Sequence, residues 1–109
     1  MGRRHDGNKM SNLFIPNTSN PKEEQFDTLL KTSNIHIEKI TSHGQTSDEW
    51  YELKRDEWVL LLEGEGHLLF EDGKKIKLLK GEQLHIPKMK KHKVIYTSSP
   101  TIWLAIHFA

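Results

Sequence analysis

Short apolar runs separated by turn residues fill the chain from Ile35 onward. Runs of Val, Ile, Leu and aromatic residues bounded by Gly, Asp, Ser and Pro are typical of an all-β sandwich or barrel. The pattern predicts strands at 35–41, 50–53, 57–63, 66–71, 74–79, 83–86, 92–97 and 101–108. The segment Glu71-Asp72-Gly73 predicts a tight hairpin, because its glycine can take a positive φ.

Two of these strands are apolar on both faces. In 57–63 and in 101–108 the odd-numbered and the even-numbered residues point to opposite sides, and both sets are mainly apolar. A strand of this kind has to be covered on both sides, either by the opposite sheet and the predicted helix or by another subunit. We therefore predict a homodimer that buries the outer surface of the sheet.

The N-terminal region has a different pattern. Residues 1–20 predict a flexible arm, and the part before Met10 is interpreted either as an upstream start or as a remnant of an expression vector. Pro21 to Lys31 has Phe26, Leu29 and Leu30 at helical spacing, acids early and a lysine late, which predicts a short helix over the sheet. Residues 21–109 are then a single domain.

Composition narrows the chemistry. The 109 residues contain no cysteine, which excludes a disulfide framework, a thiolate nucleophile and cysteine-ligated zinc or iron-sulfur sites. Metal binding would have to use His, Asp and Glu. No apolar run approaches the roughly 20 residues of a membrane-spanning helix, so we expect a cytoplasmic protein with no membrane partner.

Lysines crowd one stretch of the chain, although the formal net charge is only +1. The stretch contains Lys74, Lys75, Lys77, Lys80, Lys88, Lys90, Lys91 and Lys93. The favoured interpretation is a solvated strand face and turn, because sequence-reading proteins usually add arginines and stacking aromatics. An RNA or anion patch is the alternative, and nucleic acid is not the expected partner.

Two fragments carry the most specific motif. Glu57 to Gly64 has the Glu-to-Gly interval of one motif, and Gly81, Pro87 and His92 have the spacing of a second. Together they resemble the two motif halves of the cupin superfamily, and in particular its small single-domain bacterial members of largely unassigned function. The resemblance implies an all-β, cupin-type double-stranded β-helix, a jelly-roll barrel, here with one short N-terminal helix.

The resemblance also implies a site at the barrel mouth. Counting back from Glu57, the usual pair of histidine ligands falls on Trp50 and Glu52, and Met89 stands at the second motif's inner glycine. We predict that Glu52, Glu57 and His92 project into one mouth, where two carboxylates and an imidazole can bind Mn, Fe, Ni or Zn. Alternatively, Glu57 is a buried paired acid and His92 a hydrogen-bonding core histidine.

The remaining histidines are weaker candidates. His43 is expected either in a loop over the mouth or exposed to solvent, and His85 either reaches the cavity or points outward. The others, His36, His67 and His107, are interpreted as structural.

The predicted function is binding of a divalent metal or a small polar ligand in the barrel mouth. The alternative is a metal-dependent isomerase or oxygenase acting on a small acid or sugar derivative, with the metal as Lewis acid and Glu52 or Glu57 as base. The sequence leaves open whether the protein is an enzyme, and it assigns no catalytic residue.

Overall fold

The computed structural model describes residues 10–109, so the interpretation of Met1 to Lys9 lies outside the described residues. The strands are β1 (Gln25–Lys31), β2 (Ile35–Ser42), β3 (Asp56–Glu63), β4 (Glu65–Phe70), β5 (Lys75–Leu79), β6 (Gln83–Ile86), β7 (His92–Thr97) and β8 (Thr101–Phe108). The prediction of an all-β fold is confirmed. Residues 10–109 contain no helix of the length and hydropathy needed to cross a bilayer. The cytoplasmic location stays a prediction.

The strands form two antiparallel sheets around one core. The larger sheet has the order β1-β2-β8-β3-β6 and the smaller has the order β5-β4-β7. Both sheets contribute to the core cluster, which consists of Val59, Leu61, Leu68, Phe70, Leu78, Ile86 and Trp103. The large indole of Trp103 fits because Gly66 lies beneath it, where a Cβ would come within 2.2 Å of the ring.

Most strands agree with the alternating pattern. The bounds predicted for 83–86, 92–97 and 101–108 are those observed, and four others differ by no more than one residue at an end. The hairpin after β4 turns at Gly73, with φ +90°. The strand predicted at 50–53 is wrong: bends flank the segment, and only Tyr51 pairs, in an isolated bridge with His92.

The predicted N-terminal helix is also wrong. Residues 25–31 form β1, an edge strand paired with β2, and a register shift between Thr28 and Leu30 breaks the alternation of its side chains. Phe26 lies opposite Ile40, whereas Leu30 lies opposite Ile37. Phe26 and Leu30 thus lie on opposite faces of the sheet, although their spacing in the sequence is that of one helix face; pairing with the sheet outweighs a weak local propensity.

Part of the predicted N-terminal arm contacts the outer face of the larger sheet. Lys39 on β2 is buried, and its ammonium group donates hydrogen bonds to the backbone carbonyls of Asn12 and Ile15. The backbone N–H of Asn17 donates to the hydroxyl of Thr41, which is also buried. Residues 12–17 thus cover the polar part of this face.

Candidate functional site

A cavity of about 190 Å³ lies between the inner faces of the two sheets. Its carboxyl and imidazole groups belong to Glu24, Glu38, Glu57, His92 and His107. Its aromatic walls are Phe26, Tyr51 and Trp103, and aliphatic side chains complete it. We refer to this space as the cavity.

Glu57 is the most buried carboxylate of the cavity. It belongs to the inward-facing positions of β3, lies opposite His107 on β8 and Ile86 on β6, and is 8% exposed. Burial raises the pKa of its carboxyl group; the nearby His107 and His92 oppose the shift, and Glu38 adds to it. Within residues 10–109 no group donates a hydrogen bond to this carboxylate, and the Nε2 of His92 is 3.7 Å from its Oε1.

His92 is the first residue of β7 and is 5% exposed. Its Nδ1 lies 3.0 Å from the backbone carbonyl of Lys90. A carbonyl oxygen can only accept, so Nδ1 carries a proton and donates it to Lys90. Nε2 faces Glu57 across a 3.7 Å gap, which is too long for a direct hydrogen bond.

A second carboxylate–imidazole pair lies beside the first. The Nε2 of His107 on β8 is 3.0 Å from a carboxylate oxygen of Glu38 on β2. This hydrogen bond raises the pKa of His107; burial opposes the shift, and the negative charge of Glu57 reinforces it. From the sequence His107 was interpreted as structural, and nothing in the motif spacing singled out Glu38.

Glu24 is a third carboxylate that the sequence analysis missed. It lies just before β1 and accepts a hydrogen bond from the hydroxyl of Ser42. Burial raises the pKa of Glu24, the Ser42 hydrogen bond opposes this shift, and the charge of Glu38 adds to it. The mistaken helix prediction for this region hid the residue's position at the sheet edge.

The structure brings together Glu57 and His92 but not Glu52. Glu52 is exposed and does not line the cavity, whereas its neighbours Tyr51 and Leu53 do. In an extended chain successive side chains point to opposite sides. The motif spacing placed Trp50 and Glu52 in the site, but Tyr51 and Leu53, each one residue further along, face the cavity. The metal role of the predicted trio stays a prediction.

The donor set is poor for a metal held by protein ligands alone. Residues 10–109 contain no group of three or more His, Asp or Glu side chains placed to bind one ion. Glu57 and His92 can supply two ligands, but His107 is occupied by Glu38, and neither Tyr51 nor Leu53 replaces the missing imidazoles. The residues present therefore supply two protein ligands for an ion, Glu57 and His92, and not a complete protein ligand set.

The other histidines lie away from the cavity or at its edge. His85 points outward, where its Nε2 is 3.0 Å from Asp56, and His43 is 2.9 Å from the carbonyl of Asn17. Neither lines the cavity. His36 contacts the Thr28 hydroxyl, so its position agrees with a structural role.

Part of the lysine-rich stretch lies on the outer side of the smaller sheet. Lys75 and Lys93 flank Leu69 across β5, β4 and β7, on the face opposite Leu68 and the core. The ammonium of Lys93 lies 4.7 Å from the ring centre of Trp50. These positions agree with a solvated face, and no lysine among the described residues lines the cavity.

The sequence was also compared with known proteins. The family model of the cupin domain matches residues 39–107. This chain belongs to the cupin family. No curated protein matches this cupin.

Solved structures extend the comparison. This cupin is 34% identical to a Ralstonia eutropha protein provisionally named mannose-6-phosphate isomerase, with 93% of this chain and 98% of that chain covered and a TM-score of 0.85. A cupin superfamily protein from Desulfitobacterium hafniense is 21% identical over 83% of this chain and 81% of that chain, with a TM-score of 0.73. A Streptococcus pyogenes protein of unknown function is 16% identical over 97% of this chain and 90% of that chain, with a TM-score of 0.74. The last two share the fold with this cupin.

Proposed function

We propose that this cupin binds a small polar ligand in the cavity, with Glu57 and His92 as its central contacts. The supporting observation is the carboxylate of Glu57, which is 8% exposed and receives no hydrogen bond from residues 10–109. Among these residues every fully enclosed side-chain nitrogen or oxygen has a hydrogen-bond partner, so the oxygens of Glu57 are open to the cavity, where a bound molecule can reach them. A hydrogen bond contributes about 0.5–1.5 kcal/mol, and more when one partner is charged, so a ligand that donates to Glu57 would be stabilised.

The size of the cavity limits the ligand. A volume of about 190 Å³ is below the roughly 300–1,000 Å³ of pockets that hold drug-sized molecules. The ligand is therefore a small metabolite with few heavy atoms, or one that leaves part of its structure outside. The two sheets would be the walls of the jelly-roll barrel that the motif resemblance implies.

A divalent metal is the other form of this proposal. Glu57 and His92 would be its protein ligands, and the Nδ1 hydrogen bond of His92 to Lys90 would orient the imidazole for it. The remaining ligands would have to come from water or from the bound molecule. The metal would supply Lewis acidity to that molecule.

Ligand binding can be tested with purified protein. Calorimetric titration and thermal shift against a panel of small polar metabolites, with elemental analysis of protein prepared without chelator, should reveal an occupant. Its affinity should fall at least tenfold in Glu57→Gln and in His92→Gln, while Glu52→Gln, which changes an exposed carboxylate next to the cavity, should bind as the wild type does. If no panel compound and no Mn, Fe, Ni or Zn binds, the proposal is wrong.

An isomerase acting on a small acid or sugar derivative is the second candidate, and an oxygenase is its variant. The observation in favour is the 34% identity to the Ralstonia eutropha protein with the isomerase name. Glu57 would be the general base and His92 a proton donor or acceptor, because both enter the cavity and Glu52 does not. Interconversion of hexose 6-phosphates or oxygen uptake, measured with Mn or Fe supplied, should be abolished in Glu57→Gln; a wild type without turnover would exclude this candidate.

We also propose that the protein is a homodimer. The outer face of the larger sheet carries Leu30, Ile35, Ile37, Trp58, Leu60, Leu104, Ile106 and Phe108. Trp58 is 40% exposed and Leu30 is 51% exposed. In a two-fold symmetric dimer the same surface of each subunit meets its copy. Two copies of an apolar surface can pack together, whereas two copies of a surface with one sign of charge repel each other.

A further inference from the structure

The charges of the cavity are unbalanced. Three carboxyl groups, those of Glu24, Glu38 and Glu57, line it together with two imidazoles, and no lysine or arginine of residues 10–109 does. Arg55 is close enough to act on His107 electrostatically, but its guanidinium donates to the carbonyl of Ser33 and is outside the cavity lining. Even with His107 protonated, the cavity has more acidic groups than cationic partners.

The hydrogen-bonding capacity of these groups is also unbalanced. His107 and Ser42 each occupy one oxygen, of Glu38 and of Glu24 respectively, and within residues 10–109 the second oxygen of each carboxylate receives no hydrogen bond. Glu57 adds two more free oxygens. Tyr51 and Trp103 also line the cavity and carry one donor each, so the free polar groups of the cavity are in the majority acceptors.

A protonated amine matches this arrangement. An ammonium group carries positive charge and three donors but no acceptor, whereas a hydroxyl also brings lone pairs that find few donors here. The walls suit the rest of such a molecule, because Phe26, Tyr51 and Trp103 can contact an alkyl chain and their π-faces attract cations. We infer that the ligand of this cavity is a small organic cation of the alkylammonium class; this inference rests on the proposed function.

The same geometry disfavours anions. A phosphate or carboxylate inside the cavity would face three carboxyl groups, and no lysine or arginine of residues 10–109 lines the cavity to pair with it. Burial strengthens such like-charge repulsion, because it lowers the local dielectric. We therefore expect the cavity to bind a phosphorylated sugar more weakly than an alkylammonium ion.

Three probes of nearly equal size test the charge preference. Propylammonium, propan-1-ol and propionate should be titrated into the full-length protein by calorimetry and by NMR shift mapping, with mannose 6-phosphate as a fourth probe. We expect propylammonium to bind at least tenfold more tightly than the other three and to shift the resonances of Trp103. Glu57→Gln should weaken propylammonium binding at least tenfold, and Glu52→Gln should leave it unchanged.

The outcomes distinguish this inference from the function on which it rests. If propan-1-ol, propionate or mannose 6-phosphate binds as tightly as propylammonium and loses affinity in Glu57→Gln, the cavity binds ligands but the preference for cations is wrong. If propylammonium binds equally well to Glu57→Gln, it occupies another surface and the inference also fails. If neither the probes nor the metals and metabolites of the wider panel bind, the proposed function and the inference fail together.

Discussion

Glu57 on β3 and His107 on β8 are direct partners in the antiparallel ladder, and both side chains enter the cavity. His107 is bound on its other side by Glu38, so one imidazole lies between two carboxyl groups. The protonation of each member therefore affects the others. The stability of the protein should depend on pH through this cluster.

The pH dependence has a definite sign. The folded-state pKa values of Glu57 and His107 are both raised, from reference values of 4.5 and 6.5. A group with a raised folded-state pKa contributes stability that is present below its unfolded value and is lost as the pH rises through its folded value. The free energy of unfolding should therefore decrease from pH 4.5 upward as Glu57 ionises, and again above pH 6.5 as His107 loses its proton.

Glu57→Gln isolates the first of these contributions. The amide cannot ionise, so the variant should be more stable than the wild type at alkaline pH, and its stability should vary less between mildly acidic and alkaline buffers. Urea unfolding at both pH values measures this, with Glu52→Gln as the exposed control. A variant destabilised equally at both pH values would show that ionisation of Glu57 is not what limits stability.

The Glu38–His107 pair can be measured by a double-mutant cycle. Both side chains are about 15% exposed and their atoms are 3.0 Å apart, so Glu38→Gln and His107→Gln should show a coupling energy of about 1–3 kcal/mol below the pKa of His107. The coupling should decrease at alkaline pH, where His107 is neutral. The Lys80–Glu63 pair, with the lysine side chain 64% exposed, should couple less strongly. Equal coupling energies for Glu38–His107 and Lys80–Glu63 would show that burial does not strengthen the Glu38–His107 interaction.

The alternation along the sequence was sufficient for β2 to β8, but not for β1. Glu57, Val59 and Leu61 share one face of β3 and are buried, while Trp58 on the other face is 40% exposed. Period-two patterning is a local property, so it can be observed without knowledge of the partners. The bulge in β1 is not local, because it depends on the register with β2, so the sequence alone did not show that Phe26 and Leu30 lie on opposite faces of a strand.

The site was less accessible to sequence reasoning. Glu57 and His92 were found because each has a fixed place in a motif, but the side chains that complete the cavity come from strands paired across long sequence separations. Glu38 and His107 meet only because β2 lies beside β8. Glu52 shows the opposite error, because a slip of one residue in an extended segment moves a side chain to the other face.

Met89 occupies the motif position that usually holds glycine, and its backbone has φ +66°. The left-handed conformation costs a residue with a Cβ about 1–2 kcal/mol, and glycine would avoid this cost. Part of that gain is offset because glycine has a larger conformational entropy in the unfolded state. Because the side chain is 51% exposed, Met89→Gly should stabilise the protein by about 0.5–1 kcal/mol in urea unfolding. Lys88→Gly, in the same turn without a positive φ, should be neutral or destabilising. A loss of stability in Met89→Gly would show that the Met89 side chain contributes more than its exposure indicates.

The homodimer proposal predicts that single charges on the outer face of the larger sheet will separate the subunits. Light scattering during size-exclusion chromatography should give the wild type twice the 12.7 kDa chain mass. Trp58→Glu and Ile106→Glu, whose positions are cross-strand partners in that face, should give a single chain mass, because a carboxylate buried against an apolar copy is strongly unfavourable. Circular dichroism should show that Trp58→Glu keeps its fold, since this side chain is 40% exposed in the single chain. Tyr96→Glu, on the outer face of the smaller sheet, should remain dimeric, and a wild type of single chain mass would exclude the dimer.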